Sequence, residues 1–177
     1  GNSSLTFSNI EDYVLQFGEN DVVGTTKTID VVIAEGKYTT QQFVSTQNYK
    51  DFSKFDLRQT NIDTSTIKVS VNGVQYQKIL PEDETIFRSK SDSRIFFLEE
   101  SRTSSPVLVF GNGIVGKTIN NQDRIVVSYL LSNGADANGI KTFSPSIPGR
   151  VDALITKVSG PASGGGSAET LQSIRDN

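Results

Sequence analysis

The sequence predicts a mainly β protein with antiparallel, sandwich-like sheets, followed by a glycine-rich linker and the start of a C-terminal helix. Ser, Thr, Asn and Gly are abundant, and the apolar residues lean toward Val, Ile and Phe. This composition is typical of strands joined by polar turns. Several segments also alternate apolar and polar residues with the period of two that strands have.

The first predicted strand is KTIDVVIA at 27–34, which alternates through Ile29, Val31 and Ile33. Its continuation, EGKYTTQQFVS, predicts a second strand that pairs with the first through a turn near Glu35-Gly36. Because glutamate seldom adopts the left-handed conformation that tight hairpin turns require, this turn can be longer than two residues.

The next segment, NYKDFSKFDLRQTNIDTS at 48–65, leaves two interpretations open. Tyr49, Phe52 and Phe55 have helix-like spacing, but the segment is short and polar for a stable helix. An extended, partly buried loop is the slightly favoured alternative.

The clearest local signal is a hairpin in TIKVSVNGVQYQKI at 66–79. Asn72-Gly73 is the dipeptide that a two-residue type I′ turn prefers. Pairing across it sets Val71 opposite Val74 and Val69 opposite Tyr76. One face, which is expected to be buried, then carries Ile67, Val69, Val71, Val74 and Tyr76. A register slip of one residue would turn this apolar face toward water, so the register is well specified.

Three strands are predicted farther along, in SRIFFLEE at 93–100, PVLVF at 106–110 and DRIVVSYLL at 123–131. SNGADANG at 132–139 is turn material, and GRVDALITKV at 149–158 predicts another strand.

The C-terminal segment predicts a linker and a helix start. GPASGGGS at 160–167 is typical of a flexible linker. In the following tail, Ser167 occupies an N-cap position, Glu169 suits the helix dipole, and Leu171 with Ile174 forms an i,i+3 stripe.

The predicted organisation has four parts, and the hairpin can pack with either of the first two. These parts are a β-rich domain at 1–100, a second β-rich domain at 101–159, the linker at 160–167 and the helix start at 168–177.

Composition excludes several chemistries. The chain has a net charge of −3, no Cys and no His, so it lacks thiolate nucleophiles, cysteine–zinc sites, imidazole bases and the Ser-His-Asp triad. Nothing in its charge favours nucleic acid, and no apolar run has the length of a transmembrane segment. Because it begins at Gly1 without any Met and ends inside the predicted helix, we expect a processed product or a piece of a longer chain.

GNGIVGKT at 111–118 matches both G-x-G-x-x-G and G-x-x-x-x-G-K-[ST], two nucleotide-binding patterns. Both patterns require a following helix whose N-terminus faces the phosphates, whereas a polar turn and a β-branched strand follow here. We therefore predict a turn in an antiparallel connection, with Lys117 as an exposed charge. Three glycines supply positive φ or close backbone approach, namely Gly111, Gly113 and Gly116.

No catalytic, cofactor-binding or metal-binding residue is predicted. The carboxylates at 82–84 lack the spacing of a calcium loop, and Glu99-Glu100 point to opposite sides of one strand. GPASGGGS has no basic neighbour that favours an anion site. A nucleotide hydrolase that uses Lys117 stays as the least favoured hypothesis.

The C-terminal half resembles the baseplate J-like family of contractile phage tails, most similarly the baseplate wedge subunits of T4-like myoviruses. The resemblance covers 110–139 and 161–177. It rests on the order of motifs that are individually common: Phe110-Gly111-Asn112-Gly113, Gly116-Lys117, Ile125 through Tyr129, Asn138-Gly139, Gly165-Gly166, Glu169 and Ile174-Arg175. Ser167 and Ala168 depart from it, because family members usually place aspartates there.

The resemblance implies a non-enzymatic structural subunit of the virion tail baseplate, assembled in the host cytoplasm. Its implied partners are other wedge proteins and further copies of itself, without nucleic acid, membrane, cofactor or small-molecule substrate. The alternative is a β-sandwich binding module for carbohydrate or a surface ligand, although the chain has no Trp on which a sugar ring could stack.

Overall fold

The computed structural model describes residues 5–10, 19–20, 22, 27–80, 89–144 and 157–165. The chain divides into one compact unit of residues 7–132 and another of residues 1–6 with 133–177. The predicted helix start at 168–177 and most of the predicted strand at 149–158 lie outside the described residues. In the part that is described, no helix is both long and apolar enough to cross a membrane.

Nine strands and one 3-10 helix make up the regular structure of the described residues, which confirms the mainly β class. The 3-10 helix spans Gly134–Ala137, within the predicted turn segment. The strands are β1 (Phe7–Asn9), β2 (Ile33–Glu35), β3 (Lys37–Val44), β4 (Ser53–Asp56), β5 (Ile62–Val71), β6 (Val74–Lys78), β7 (Ile95–Glu100), β8 (Pro106–Phe110) and β9 (Arg124–Leu131).

One seven-stranded sheet dominates the unit of residues 7–132, with the order β3-β9-β5-β6-β7-β8-β4. All its neighbouring strands are antiparallel except β6 and β7, which are parallel. The sheet curls into a half-barrel. As a result, Phe43 on β3 and Phe55 on β4 approach to 5.5 Å between ring centroids, although their strands stand at opposite ends of the order.

The hydrophobic core fills the curl. Alternate residues of the strands point into this core. On β9, Ile125, Val127 and Tyr129 are buried, whereas Val126 and Ser128 between them are partly exposed. Two aromatic rings pack edge-to-face against Phe110. The ring centroid of Phe110 lies 5.8 Å from that of Phe55 and 5.7 Å from that of Tyr76. The other buried members are Leu57, Ile62, Ile67, Val69, Val71, Phe96, Leu108 and Ile119.

The predicted hairpin is confirmed in its turn and its register. Val71 pairs with Val74, and Val69 with Tyr76. Asn72 and Gly73 both have positive φ, 51° and 79°, as a type I′ turn requires. Only Val74 departs from the expected buried face, because it is 40% exposed at the tip.

The predicted strand pair around Glu35-Gly36 is wrong. Residues 27–32 are not in a strand, β2 pairs with β1, and β3 pairs with β9 over eight residues. Gly36 interrupts the predicted strand pair, because it separates β2 from β3. Its φ is 138°, and a Cβ atom there would lie 2.7 Å from the Leu131 carbonyl oxygen. Long-range pairing with a central strand therefore replaces the local hairpin.

Residues 48–65 are extended, as the favoured alternative predicts, but part of the segment forms strands instead of a loop, since it contains β4 and the beginning of β5. Two of the aromatic residues face the core, with Tyr49 and Phe55 centroids 6.0 Å apart. Phe52 is 40% exposed and contacts Phe97 instead.

Strand β5 contains an irregularity that its own polar side chains build. Its register with β9 shifts between Asp63 and Lys68. The Thr66 hydroxyl donates to the Asp63 carbonyl oxygen (2.7 Å) and accepts from the Leu130 N–H (3.0 Å). Thr66 thus satisfies a buried backbone donor that the shifted strand leaves without its ladder partner.

The division into domains at residue 100 stays a prediction. Residue 100 is the end of β7, which pairs with β8 across the loop that follows it.

Candidate functional site

The loop at 111–118 leaves β8 and folds back on itself around the side chain of Asn112. The Asn112 carboxamide oxygen accepts the N–H groups of Ile114 (3.0 Å) and Val115 (2.9 Å). The Gly113 N–H donates to the Gly116 carbonyl oxygen at 3.0 Å. These contacts close a compact turn, and no helix follows it.

Six backbone donors of this loop, at residues 112–117, have acceptors inside the protein. In addition to those of residues 113–115, the N–H groups of Asn112, Gly116 and Lys117 donate to the carbonyl oxygens of Val115, Lys90 and Ser93, respectively. A phosphate-binding loop needs these donors to point into an open cradle. Here six consecutive N–H groups, from residue 112 to residue 117, are used by the turn and by the neighbouring loop.

The three glycines have the geometry that was predicted for them. Gly113 and Gly116 have φ of 84° and 74°. Gly111 is a point of close backbone approach, since a Cβ atom there would lie 2.3 Å from the carbonyl carbon of Gly116. Lys117 is exposed, as expected of a turn charge.

The path of the loop differs from the predicted antiparallel connection. β8 and β9 are not neighbours in the sheet, so residues 111–123 cross from one part of the curl to another. Two contacts secure the crossing: the Thr118 hydroxyl donates to the Tyr49 carbonyl oxygen at 2.9 Å, and the Ile119 side chain is fully buried. The segment closes the core and joins distant strands.

A shallow groove of about 890 Å³ lies beside this loop, lined by residues that include Gln75, Tyr76, Arg94 and Lys117. Burial raises the pKa of the Tyr76 phenol, the Asp123 carboxylate acts in the same direction, and Arg94 opposes them. The phenol therefore stays protonated at neutral pH and offers no anionic base to a substrate.

A second polar cluster joins Asp56 on β4 to the loop between β7 and β8. The Ser105 hydroxyl donates to the Asp56 carboxylate at 2.6 Å, and the Ser101 and Ser105 hydroxyls lie 2.7 Å apart. The hydrogen bond from Ser105, followed by one from the Arg58 N–H, lowers the pKa of Asp56. A carboxylate of lowered pKa is a weak base and would not activate a serine hydroxyl. The hydrogen bonds of this cluster therefore fit the role of holding the loop between β7 and β8 against β4.

Of the two carboxylate groups in the sequence, only Glu99-Glu100 lies among the described residues. Glu82, Asp83 and Glu84 lie outside the described residues, and Glu99 forms an exposed ion pair with Lys54. In the described parts of the chain, no three carboxylate, His or Cys side chains cluster so that they could hold a metal ion.

In the unit of residues 1–6 and 133–177, two motifs that carry the family resemblance, Asn138-Gly139 and the glycine pair that begins at Gly165, are in contact. The Asn138 side chain donates to the Gly165 carbonyl oxygen (2.9 Å) and accepts the Gly165 N–H (3.0 Å). A Cβ atom at Gly165 would lie 2.2 Å from the Gly134 carbonyl oxygen. The described part of the glycine-rich segment is therefore docked on residues 134–140.

The outer edge of β3 is the feature that sequence reasoning missed. β3 ends the strand order. Among the described residues no strand pairs with its outer side, and β1 contacts only its beginning, where the Ser8 hydroxyl donates to the Gly36 carbonyl oxygen at 2.8 Å. The Ser45 N–H donates to the Asp123 carbonyl oxygen, and hydrogen bonding alternates along an antiparallel pair. The backbone groups directed away from β9 are therefore those of Tyr38, Thr40, Gln42 and Val44.

A second contact fixes the same alternation. Leu130, which pairs with Tyr38, donates its N–H to Thr66 on the other side of β9. Tyr38 and Leu130 therefore form a pair without mutual hydrogen bonds, which leaves the Tyr38 backbone groups directed outward.

The family described as bacteriophage baseplate wedge protein gp6, third domain, matches residues 41–132. The match covers just over half of the chain and nearly all of the seven-stranded sheet. No curated protein matches the chain significantly.

Proposed function

Since the chain belongs to the bacteriophage baseplate wedge protein gp6 family through that third domain, we propose that it is a wedge component that acts through protein–protein interfaces. The family is a structural one of the phage tail baseplate, so the virion tail is the place of action. Assembly in the host cytoplasm, before the tail is complete, is part of the proposal.

The observation that carries this function is the coincidence of the family match with the curled sheet, which runs from β3 to β9. The matched segment builds one hydrophobic core from strands that are distant in sequence. A domain with one continuous core can hold its surfaces in fixed positions, and a structural subunit binds its neighbours through large surfaces of this kind.

The local chemistry supports a role without catalysis. The loop that imitates a nucleotide-binding pattern uses its backbone donors internally, and the hydroxyls near Asp56 lock a turn. We propose that the partners are other wedge proteins and further copies of this chain, and that the protein needs neither nucleic acid nor membrane.

Co-expression tests the proposal. A tagged copy of the chain, expressed with the other wedge proteins of the same phage, is expected to retain at least one of them through size-exclusion chromatography. The matched variant Lys117→Ala is expected to retain the same partners, and neither protein is expected to bind ATP in calorimetry. Failure to retain any wedge protein contradicts the proposed role, and ATP binding that Lys117→Ala abolishes restores the hydrolase hypothesis.

A further inference from the structure

Between Tyr38 and Val44, the described residues give the outer edge of β3 none of the charges, prolines or bulges that protect exposed edges in natural sheets. Between Tyr38 and Val44 there is no proline and no charged residue, and the pairing with β9 runs without a register shift. Edge strands in soluble proteins are usually short, bulged, charged or covered. This edge has eight residues, which span roughly 27 Å at the usual strand rise.

We propose that β3 pairs, antiparallel, with β3 of a second copy of this chain about a two-fold axis at Gln41. The proposal names the surface for part of the self-association proposed above and rests on it. In this register Tyr38 lies opposite Val44 of the second copy, Thr40 lies opposite its Gln42, and Gln41 lies opposite its own counterpart. The two sheets then continue into each other.

The outward backbone groups match this symmetry. The four residues with outward groups, at positions 38, 40, 42 and 44, are symmetric about position 41. In an antiparallel pair, residues that face each other with outward groups exchange both of their hydrogen bonds. All four edge residues of each copy therefore find partners at once.

The side chains favour the same register. Tyr38 and Val44 are the exposed large hydrophobic side chains of β3, 38% and 55% exposed, and each covers the other in an aromatic–β-branched pair across the strands. A register displaced by two residues leaves Tyr38 opposite either Gln42 or Thr46. Lys37 lies opposite Ser45, so no like charges meet.

β1 lies against the beginning of β3, so the proposed pairing uses the edge from Tyr38 to Val44. The ring of Phe43 points into the curl and contacts Phe55, whereas the side chains of the outward-bonding residues are exposed on the other face. One strand pair provides only part of the 1,200–2,000 Å² that a stable interface usually buries. The isolated dimer is therefore weak, and it becomes stronger where an assembly holds copies side by side.

Cysteine cross-linking tests the register, and the chain contains no cysteine to interfere. Gln41→Cys places two thiols opposite each other at the two-fold axis, with Cβ atoms about 5 Å apart. Thr39→Cys is the matched control on the same face of the same strand, but its two thiols are four residues out of register, roughly 13 Å apart. With oxidised glutathione as the oxidant, Gln41→Cys is expected to form covalent dimer at least tenfold faster.

Two further variants test the edge without the use of thiols. Thr40→Pro removes an N–H that faces away from β9, so the chain is expected to keep its circular dichroism spectrum while it loses the dimer in sedimentation velocity. Val44→Asp is expected to weaken the dimer at least tenfold. Val74→Asp, at an exposed valine in the hairpin, is expected to leave it unchanged.

The outcomes separate this edge from the proposed function. Equal cross-linking of the two cysteine variants, or equal weakening by the two aspartates, overturns the edge pairing even when the unmodified chain still dimerises. A chain that stays monomeric at its highest soluble concentration also overturns it. In that case retention of wedge proteins still decides the wedge role.

Discussion

Alanine at Gly111 distinguishes a backbone-geometry role of the 111–118 loop from a ligand-binding role. Gly111 is buried, and its φ is not among the positive values of the chain. Strain from a left-handed conformation therefore does not contribute to the effect. The three atoms nearest to the added methyl group are backbone atoms of Val115 and Gly116.

The expected cost follows from the distances. The Cβ atom would lie 2.3 Å from the Gly116 carbonyl carbon and 2.4 Å from the oxygens of Gly116 and Val115. Normal contact at about 3.5 Å requires a shift of about 1 Å. That shift breaks at least two hydrogen bonds that hold residues 115–116, worth about 1 kcal/mol each. With lost packing, we expect Gly111→Ala to destabilise the chain by about 3 kcal/mol or more.

Urea unfolding followed by far-UV circular dichroism measures this change, with two comparisons on the same loop. Gly113→Ala places its methyl group in open space, so only the positive φ opposes it, at about 1–2 kcal/mol. Lys117→Ala removes an exposed side chain and is expected to change stability by less than about 0.5 kcal/mol. If Gly111→Ala proves as stable as Gly113→Ala, the close-approach explanation of Gly111 is refuted.

Three further substitutions test individual hydrogen-bonding groups. Ser53 carries a fully buried hydroxyl without a hydrogen-bond partner, so Ser53→Ala is expected to leave urea stability unchanged or raise it by up to about 1 kcal/mol; a loss contradicts this. Thr66→Val removes the acceptor of the buried Leu130 N–H, so the free energy of unfolding is expected to fall by about 1–3 kcal/mol. Thr66→Ser keeps the hydroxyl and is expected to retain that stability. The hydrogen bond from Ser105 lowers the pKa of Asp56. Its contribution to folding stability is therefore present above the ordinary carboxyl pKa of 3.8 and is lost as pH falls through the lower pKa of the folded protein. Ser105→Ala is therefore expected to reduce the loss of stability on acidification, and an identical acid profile contradicts this.

The hairpin at 66–79 was predictable because its information is local. Asn72-Gly73 defines the turn type, and the turn type with the alternation of Val69, Val71 and Tyr76 defines the register. Strands β7, β8 and β9 were also predicted within two residues of their ends, since each is an apolar run between polar turns.

Strand order was not predictable from the same signals. Ile29, Val31 and Ile33 alternate as a strand should, but a strand also needs a neighbour, and β9 forms its eight-residue pairing with β3 instead. The four-residue β4 is stabilised by its ladder with β8 and by the core contacts of Phe55. Neither feature is visible in a polar segment that contains three aromatic residues.

The family resemblance and the family match rest on largely different residues. The resemblance used 110–139 and 161–177, whereas the match covers 41–132, so they share only the loop and β9. β9 lies between β3 and β5 in the sheet, and it pairs with strands from the half of the chain that the resemblance left undefined. The sheet therefore joins, through β9, the residues that carry the resemblance to those that only the family match covers.

The edge of β3 shows why a site of this kind cannot be predicted from its own sequence. YTTQQFV predicts a strand, but the side that each N–H group faces depends on Asp123, which accepts the Ser45 N–H. A one-residue change in that long-range pairing would direct the groups of Thr39, Gln41 and Phe43 outward, and the symmetry between Tyr38 and Val44 would be lost. The candidate interface thus depends on the register between β3 and β9, and Gln41→Cys with Thr39→Cys tests the pairing between two copies that this register allows.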